Sequence, residues 1–185
     1  MESKTILFHS NEEKKCEEFV SGKIPLILSK NSQDDKWLGV GMYFWDNKGN
    51  TNWWNKKQLQ KNPSIKYKII KVNADTSHLL DLTDYDVCTK MEELWNSYCK
   101  EIDKDPDVPL GNKLNTLFDA FPEFGKVYMV IKLYGKYNGT PSRGFITFDY
   151  KSRKAEPTMA AKCIYSVKND ACILEREIIE EGNYE

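Results

Sequence analysis

Leu7-Phe8-His9-Ser10 and, further on, Trp37-Leu38-Gly39-Val40-Gly41-Met42-Tyr43-Phe44-Trp45 are the two stretches on which the reading of this chain turns. The first predicts a short strand, residues 5–9, that ends on a histidine followed by a small hydroxyl residue. Ser10 then reads as the cap of a helix, with Glu13 three residues on completing a capping box. Cys16, Phe19 and Val20 share one face of that helix, and Gly22 is a natural terminator. The second stretch predicts a strand over residues 37–45. Its glycines remove side chains where a flat ligand or a neighbouring backbone must come close. Tyr43 alternates with Met42 and Phe44, so it faces the opposite side from them. With Gly41 on the same face as Tyr43, a ring beside bare backbone forms a slot for an aromatic ligand.

Working outward, residues 24–28 are short and apolar and residues 29–36 form a polar loop. Residues 51–60 predict a short helix that buries Trp53, Trp54 and Leu59. Residues 64–75 alternate Ile65, Tyr67 and Ile69 with Lys66 and Lys68, the pattern of a strand with one wet face. The phase slips past Ile70, which predicts a bulge there. Residues 84–102 and 110–121 are amphipathic at helical spacing and are separated by a segment with two prolines; Pro122 ends the second. Strands are expected over residues 125–134, 144–150, 161–167 and 172–179, with Lys168-Asn169-Asp170 as the turn between the last two. The tally is an α+β fold with a mostly antiparallel sheet pair. The helical middle, residues 84–123, is an insertion between strand-rich halves rather than a domain.

A chain of 185 residues with 40 % hydrophobic, 30 % charged and 12 % aromatic residues fits one well-filled core, so residues 1–185 are read as a single domain. Lys+Arg 27 against Asp+Glu 28 leaves no global field for nucleic acid; any such binding needs a local patch. Five cysteines without Cys-x-x-Cys spacing, and only His9 and His78 as imidazoles, argue against a zinc site or a disulfide framework. The polar start Met1-Glu2-Ser3-Lys4-Thr5 has no signal-peptide core, and no run approaches roughly 18 apolar residues. The expectation is a reduced, cytoplasmic protein without a membrane partner. Walker loops, Gly-x-Gly-x-x-Gly fingerprints and His-Glu-x-x-His zinc helices are absent from the sequence.

The order His9-Ser10, then Gly39-x-Gly41-x-Tyr43-Phe44-Trp45, then the tryptophan-bearing segment with Trp53 and Trp54 resembles the first half of the His-Tyr-type ADP-ribosyltransferases. That class includes diphtheria-type toxins, poly-ADP-ribose polymerases and small bacterial toxins. The resemblance covers residues 6–54. It implies a split, mostly antiparallel sheet with peripheral helices and a dinucleotide held between the halves. It implies NAD as substrate, transfer of ADP-ribose to a macromolecule, protein or nucleic acid (RNA or DNA), and release of nicotinamide. His9 would bind the adenine-side ribose hydroxyl, the backbone of Ser10 would read the nicotinamide amide, and Tyr43 would stack on the nicotinamide ring, with Gly41 making room. Small members of the class are toxins of toxin–antitoxin or phage-defence systems, which implies an antitoxin partner.

The family also places a glutamate at the start of a late strand. Departure of neutral nicotinamide builds positive charge on the ribose, and a fixed anion lowers that barrier. In this sequence the corresponding strand is residues 161–167, and the expected position falls near Lys162, which has the wrong charge. Glu156, just upstream, is the nearest carboxylate; Glu175, on the last strand, is the second. The basic residues Arg143, Lys151, Arg153 and Lys154 precede that strand, where the resemblance places acceptor contacts. Lys66, Lys68 and Lys71 read as a solvated strand face, and Trp53, Trp54 and Trp95 as core. An inert NAD- or ADP-ribose-binding module is the alternative to an enzyme.

Overall fold

A computed structural model describes residues 3–29, 37–137 and 158–179. Among the described residues, seven strands form one sheet: β1 (Lys4–Glu12), β2 (Met42–Trp45), β3 (Tyr67–Asp75), β4 (Leu79–Asp81), β5 (Val130–Lys136), β6 (Ala161–Val167) and β7 (Ile173–Ile179). Their spatial order is β4-β5-β6-β2-β1-β3-β7. Of these strands β4 and β5 pair in parallel, and the other described neighbours are antiparallel. Five helices are described: α1 (Glu13–Val20), α2 (Lys48–Lys61), α3 (Tyr85–Glu101), α4 (Leu110–Ala120) and α5 (Pro122–Val127). The architecture is mixed α/β around a mostly antiparallel sheet.

Both sheet faces are covered, and the residue alternation shows it. On one face α1 sends Cys16 and Phe19 into Leu7, Met42, Phe44, Ile70, Val72 and Ala74. On the other, Leu114 of α4 packs with Leu38, Leu80, Ile131 and Ile164. Leu117, Trp95 and Cys99 join α3 to α4, and the Trp95 indole donates to the Pro106 carbonyl at 2.9 Å. The helical middle therefore lies on the sheet as one of its covering layers. Burial on two sides also accounts for the phase slip at Ile69 and Ile70, which are both buried on opposite faces. No bulge interrupts β3 there: its ladder with β1 runs unbroken from Lys4↔Asp75 to Glu12↔Tyr67. The irregularity falls at Asn73 and Ala74, against β7.

Local signals lost to this ladder at several points. β1 extends through Ser10 to Glu12, so Ser10 does not cap α1; the helix starts after Glu12 with no side-chain cap. Pairing of Ser10 with Ile69, Asn11 with Lys68 and Glu12 with Tyr67 supplies partners that a capping box would otherwise give. Gly125 belongs to α5, so the following strand begins at Val130. Pro122 opens that helix, where its missing N–H costs nothing. Residues 24–28 form no strand; a lone bridge joins Ser29 to Gly41. β6 and β7 are not hairpin neighbours, since β2, β1 and β3 lie between them. The strand expected over residues 144–150 lies outside the described residues.

The tyrosine strand is shorter than expected, Met42–Trp45, because the chain turns at Gly39 with φ 70°. A β-carbon there would collide with the Asn115 side chain and stand 2.9 Å from the Gly111 carbonyl oxygen. Asn115 is held in that place by accepting the Val40 N–H at 2.8 Å. Gly22, which closes α1 with φ 77°, has open space around it. Gly39→Ala therefore combines left-handed strain with a clash and is expected to lose more than about 3 kcal/mol. Gly22→Ala carries the strain alone, about 1 kcal/mol. Urea unfolding of the two variants checks the contrast, and equal losses would contradict it.

Candidate functional site

β1 and β2 meet at a single residue pair, Phe8↔Trp45. Each continues on its other side: β1 with β3 as far as Glu12↔Tyr67, β2 with β6 as far as Met42↔Val167. Past Phe8 and Trp45 the sheet thus opens into two parts, β3/β7 with β1 and β6/β5/β4 with β2. The ring of His9 enters this seam. Its Nδ1 lies 2.6 Å from the Tyr43 carbonyl oxygen, so the side chain takes the place of a ladder hydrogen bond. The ring packs on Phe44, with centroids 5.5 Å apart.

That contact fixes the tautomer. A carbonyl only accepts, so Nδ1–H donates and Nε2 keeps its lone pair in the neutral ring. The Asn11 amide donates to Nε2 at 3.2 Å. Burial lowers the His9 pKa to about 4, partly offset by the bond to the Tyr43 carbonyl. At neutral pH the site therefore holds an uncharged imidazole that offers one acceptor.

The seam opens into a cavity of about 690 Å³, within the usual range for small-molecule sites. His9, Ser10 and Tyr43 line it together. The Ser10 hydroxyl donates to the Asn55 Oδ1 at 3.2 Å, which ties β1 to the buried face of α2. Tyr43 lines the wall, and its hydroxyl is committed elsewhere: it donates to the Gly39 carbonyl at 2.7 Å and accepts the Leu38 N–H at 3.0 Å. The ring is thereby held in one orientation and fastens the turn before β2. Lys168 also ties this turn, donating to the Leu38 carbonyl at 2.6 Å and to the Val40 carbonyl.

Gly41 is not among the lining residues. A β-carbon at Gly41 would collide with Ser166 Oγ and stand 3.0 Å from the Val167 carbonyl, so the bare backbone admits β6 rather than the cavity. Among the described residues, Ser166 Oγ is buried there without a hydrogen-bond partner. Glu156, with Arg143, Lys151, Arg153 and Lys154, lies outside the described residues. Glu175 is exposed on β7, paired with Asn73, and does not line the cavity. Lys68 and Lys71 pair with Glu13 at 3.4 Å and Glu177 at 2.5 Å; because β3 runs unbroken past Ile70, they lie on its opposite faces and do not form the single solvated face expected.

Several cavity residues lacked a signal short enough to read. Trp37, Trp45 and Tyr137 gather at one end, with Tyr137 5.9 Å from Trp37 and 5.7 Å from Trp45. Burial pushes the Tyr137 phenol up to about 12, so it stays protonated. Trp54, Gln58 and Lys61 of α2 form another wall at helical spacing. Trp53 and Trp54 are not core: they are 48 % and 39 % exposed, and α2 buries Thr51 and Asn55 instead. Glu12 and Lys15 stand at a further edge, paired at 2.9 Å. Among the described residues, no cluster of His, Cys, Asp or Glu is placed to hold a metal, and no helix is long and apolar enough to cross a membrane.

Compared with protein-family models, with curated proteins and with solved structures, the chain matches none.

The depressed pKa of His9 has a consequence for stability. Between the unfolded value of about 6.5 and the folded value of about 4, the unfolded chain binds the extra proton, so stability falls as pH drops through that window. Lowering the pH from 7 to 4.5 is expected to cost about 2 kcal/mol through this group. The check is urea unfolding at both pH values for the parent and His9→Gln. The variant should lose correspondingly less, and an equal loss would show that the imidazole is not responsible.

Proposed function

We propose that the protein is an NAD-dependent mono-ADP-ribosyltransferase that moves ADP-ribose from NAD to a macromolecule and releases nicotinamide. The observation that carries this reading is the neutral, tautomer-fixed imidazole of His9 at the open seam of a split sheet, sharing one cavity with the ring of Tyr43. Nε2 is suited to accept a ribose hydroxyl, in exchange for the Asn11 amide. A fixed ring beside a cavity wall is suited to a planar heteroaromatic group. Lys61 at the edge suits a diphosphate. These features accord with the resemblance of residues 6–54 to the His-Tyr class.

The reaction breaks the bond between ribose C1′ and the nicotinamide ring nitrogen. The bonding pair leaves with nicotinamide, which becomes neutral, and C1′ carries the developing positive charge. An acceptor lone pair forms the new bond to C1′, and the acceptor's proton passes to solvent. Cation development calls for a carboxylate. Glu12, which lines the cavity, is engaged by Lys15. Glu156 is four residues ahead of Ala160, whose carbonyl accepts the N–H of the cavity residue Tyr137 at 2.8 Å. We assign the anion to Glu156 on that ground. The role of a cytoplasmic toxin held by an antitoxin follows from the family resemblance and belongs to the same proposal.

Nicotinamide release from labelled NAD in the presence of cell lysate tests the reading. His9→Ala is expected to lose well over tenfold, or more than about 1.4 kcal/mol of transition-state stabilisation. Tyr43→Ala removes both the ring and the turn's fastening, whereas Tyr43→Phe keeps the ring; the phenylalanine variant should retain most turnover. Near-normal release in His9→Ala and Tyr43→Ala would reject the cavity. NAD binding without release in the parent would assign the cavity to an inert binding module.

Glu156→Gln keeps shape and removes charge. NAD binding should survive while turnover falls about 10²–10³-fold, the size typical of losing one electrostatic stabiliser. Unchanged turnover there, with loss in Glu175→Gln, would move the role to β7.

A further inference from the structure

Helix α2 is built inside out. Over Lys48–Lys61 it buries the polar Thr51 and Asn55 and turns Trp53 and Trp54 outward. Its sequence, KGNTNWWNKKQLQK, holds four lysines, five side-chain amides and no acid. In a chain of formal net charge −1, that is a local departure. The Lys57 ammonium lies 5.9 Å from the Trp53 ring. Trp53 stands 6.4 Å from Trp54, and meets Tyr137 edge-on at 6.2 Å. Trp54, Gln58, Lys61 and Tyr137 line the cavity, so the outward strip and the cavity share a continuous rim.

Interleaved aromatic rings, ammonium groups and amides match one ligand chemistry: unpaired bases joined by phosphates. Exposed indoles stack on bases without regard to sequence, lysines meet the backbone, and amides reach base edges. An acidic peptide would use the lysines and leave two tryptophans in water. A duplex would hide the base faces that the rings could cover. We infer that α2 is a docking strip for single-stranded nucleic acid, and that the acceptor delivered to the cavity is a nucleotide of that strand. The acceptor part rests on the transferase reading above; the docking strip does not.

The test is fluorescence anisotropy of a labelled mixed-sequence 20-nucleotide strand, as DNA and as RNA, against the full chain without NAD. Binding should weaken as salt rises and exceed that of the matched duplex. Trp53→Ala and Lys57→Glu, which lie outside the cavity lining, should each weaken it about tenfold, and Trp53→Phe should restore most of the loss. Nicotinamide release to water, read on the same variants, should stay at the parent level. Absent strand binding, equal affinity in the variants, a preference for duplex, or competition by polyglutamate as effective as by the strand would each overturn the strip. Intact nicotinamide release with no strand binding overturns this inference and leaves the cavity reading standing. Strand binding without release, or with label appearing only on protein, keeps the strip and overturns the assignment of the acceptor.

Discussion

The opening between β1 and β2 is the constraint around which the other parts are arranged. Two strands that part after one residue pair leave backbone groups without ladder partners, and a buried carbonyl in that position must bond something. The Tyr43 carbonyl takes the His9 side chain. One imidazole therefore does three things: it satisfies the broken ladder, it joins the two parts of the sheet, and it sets its own tautomer. Because the ring is enclosed by protein on the seam side, its charged form is disfavoured, and the group that joins the seam is also the neutral acceptor facing the cavity.

The opening also explains why α2 is inverted. A helix over the core face of a sheet ordinarily buries its apolar stripe. Here the face below α2 includes Ser10 beside the seam, and the hydroxyl requires a buried partner, which Asn55 supplies. Thr51 follows on the same side one turn earlier, with its hydroxyl on the Asn47 carbonyl at 3.3 Å. With the inner side given to polar contacts, the indoles fall on the cavity rim and the outer surface. A polar requirement at the seam and an aromatic surface outside it are two sides of one register.

Legibility followed the range of the forces involved. β6 was readable to its ends, residues 161–167, because a short apolar run and the flanking turn are local, and the run is continuously buried from Cys163 to Val167. His9 and Tyr43 were readable as a pair because both stretches carry short motifs, and the structure brings both to one cavity. The capping box at Ser10 was a sound local signal that failed against nine consecutive ladder pairs with β3, a partner more than fifty residues away. Gly41 was read for the space it opens, and the space is real; what fills it, Ser166, lies on a strand whose adjacency to β2 no local pattern reveals. The size of the α2 tryptophans points to the core, but size does not tell which side of a helix the sheet needs, and Trp53 and Trp54 are exposed.

The charge layout around the cavity narrows what its interior can do. Lys61 is at its edge and Lys15 is paired there with Glu12, while the His9 ring inside carries no charge at neutral pH. The Lys61 cation at the rim favours an anionic ligand such as a diphosphate, and a protonated His9 would have added a repulsive charge beside any cationic carbon. Its neutrality removes that repulsion, yet neutrality stabilises a cation only weakly. Glu12 is already paired with Lys15 at 2.9 Å. The chemistry proposed for the cavity therefore needs an anion from another part of the chain. The Tyr137–Ala160 bond brings together, at the cavity wall, the residues on either side of the segment that carries Glu156. On the proposed reading, the fold prepares the ribose and ring contacts on the strands, and Glu156 is the anion that offsets the charge of bond breaking.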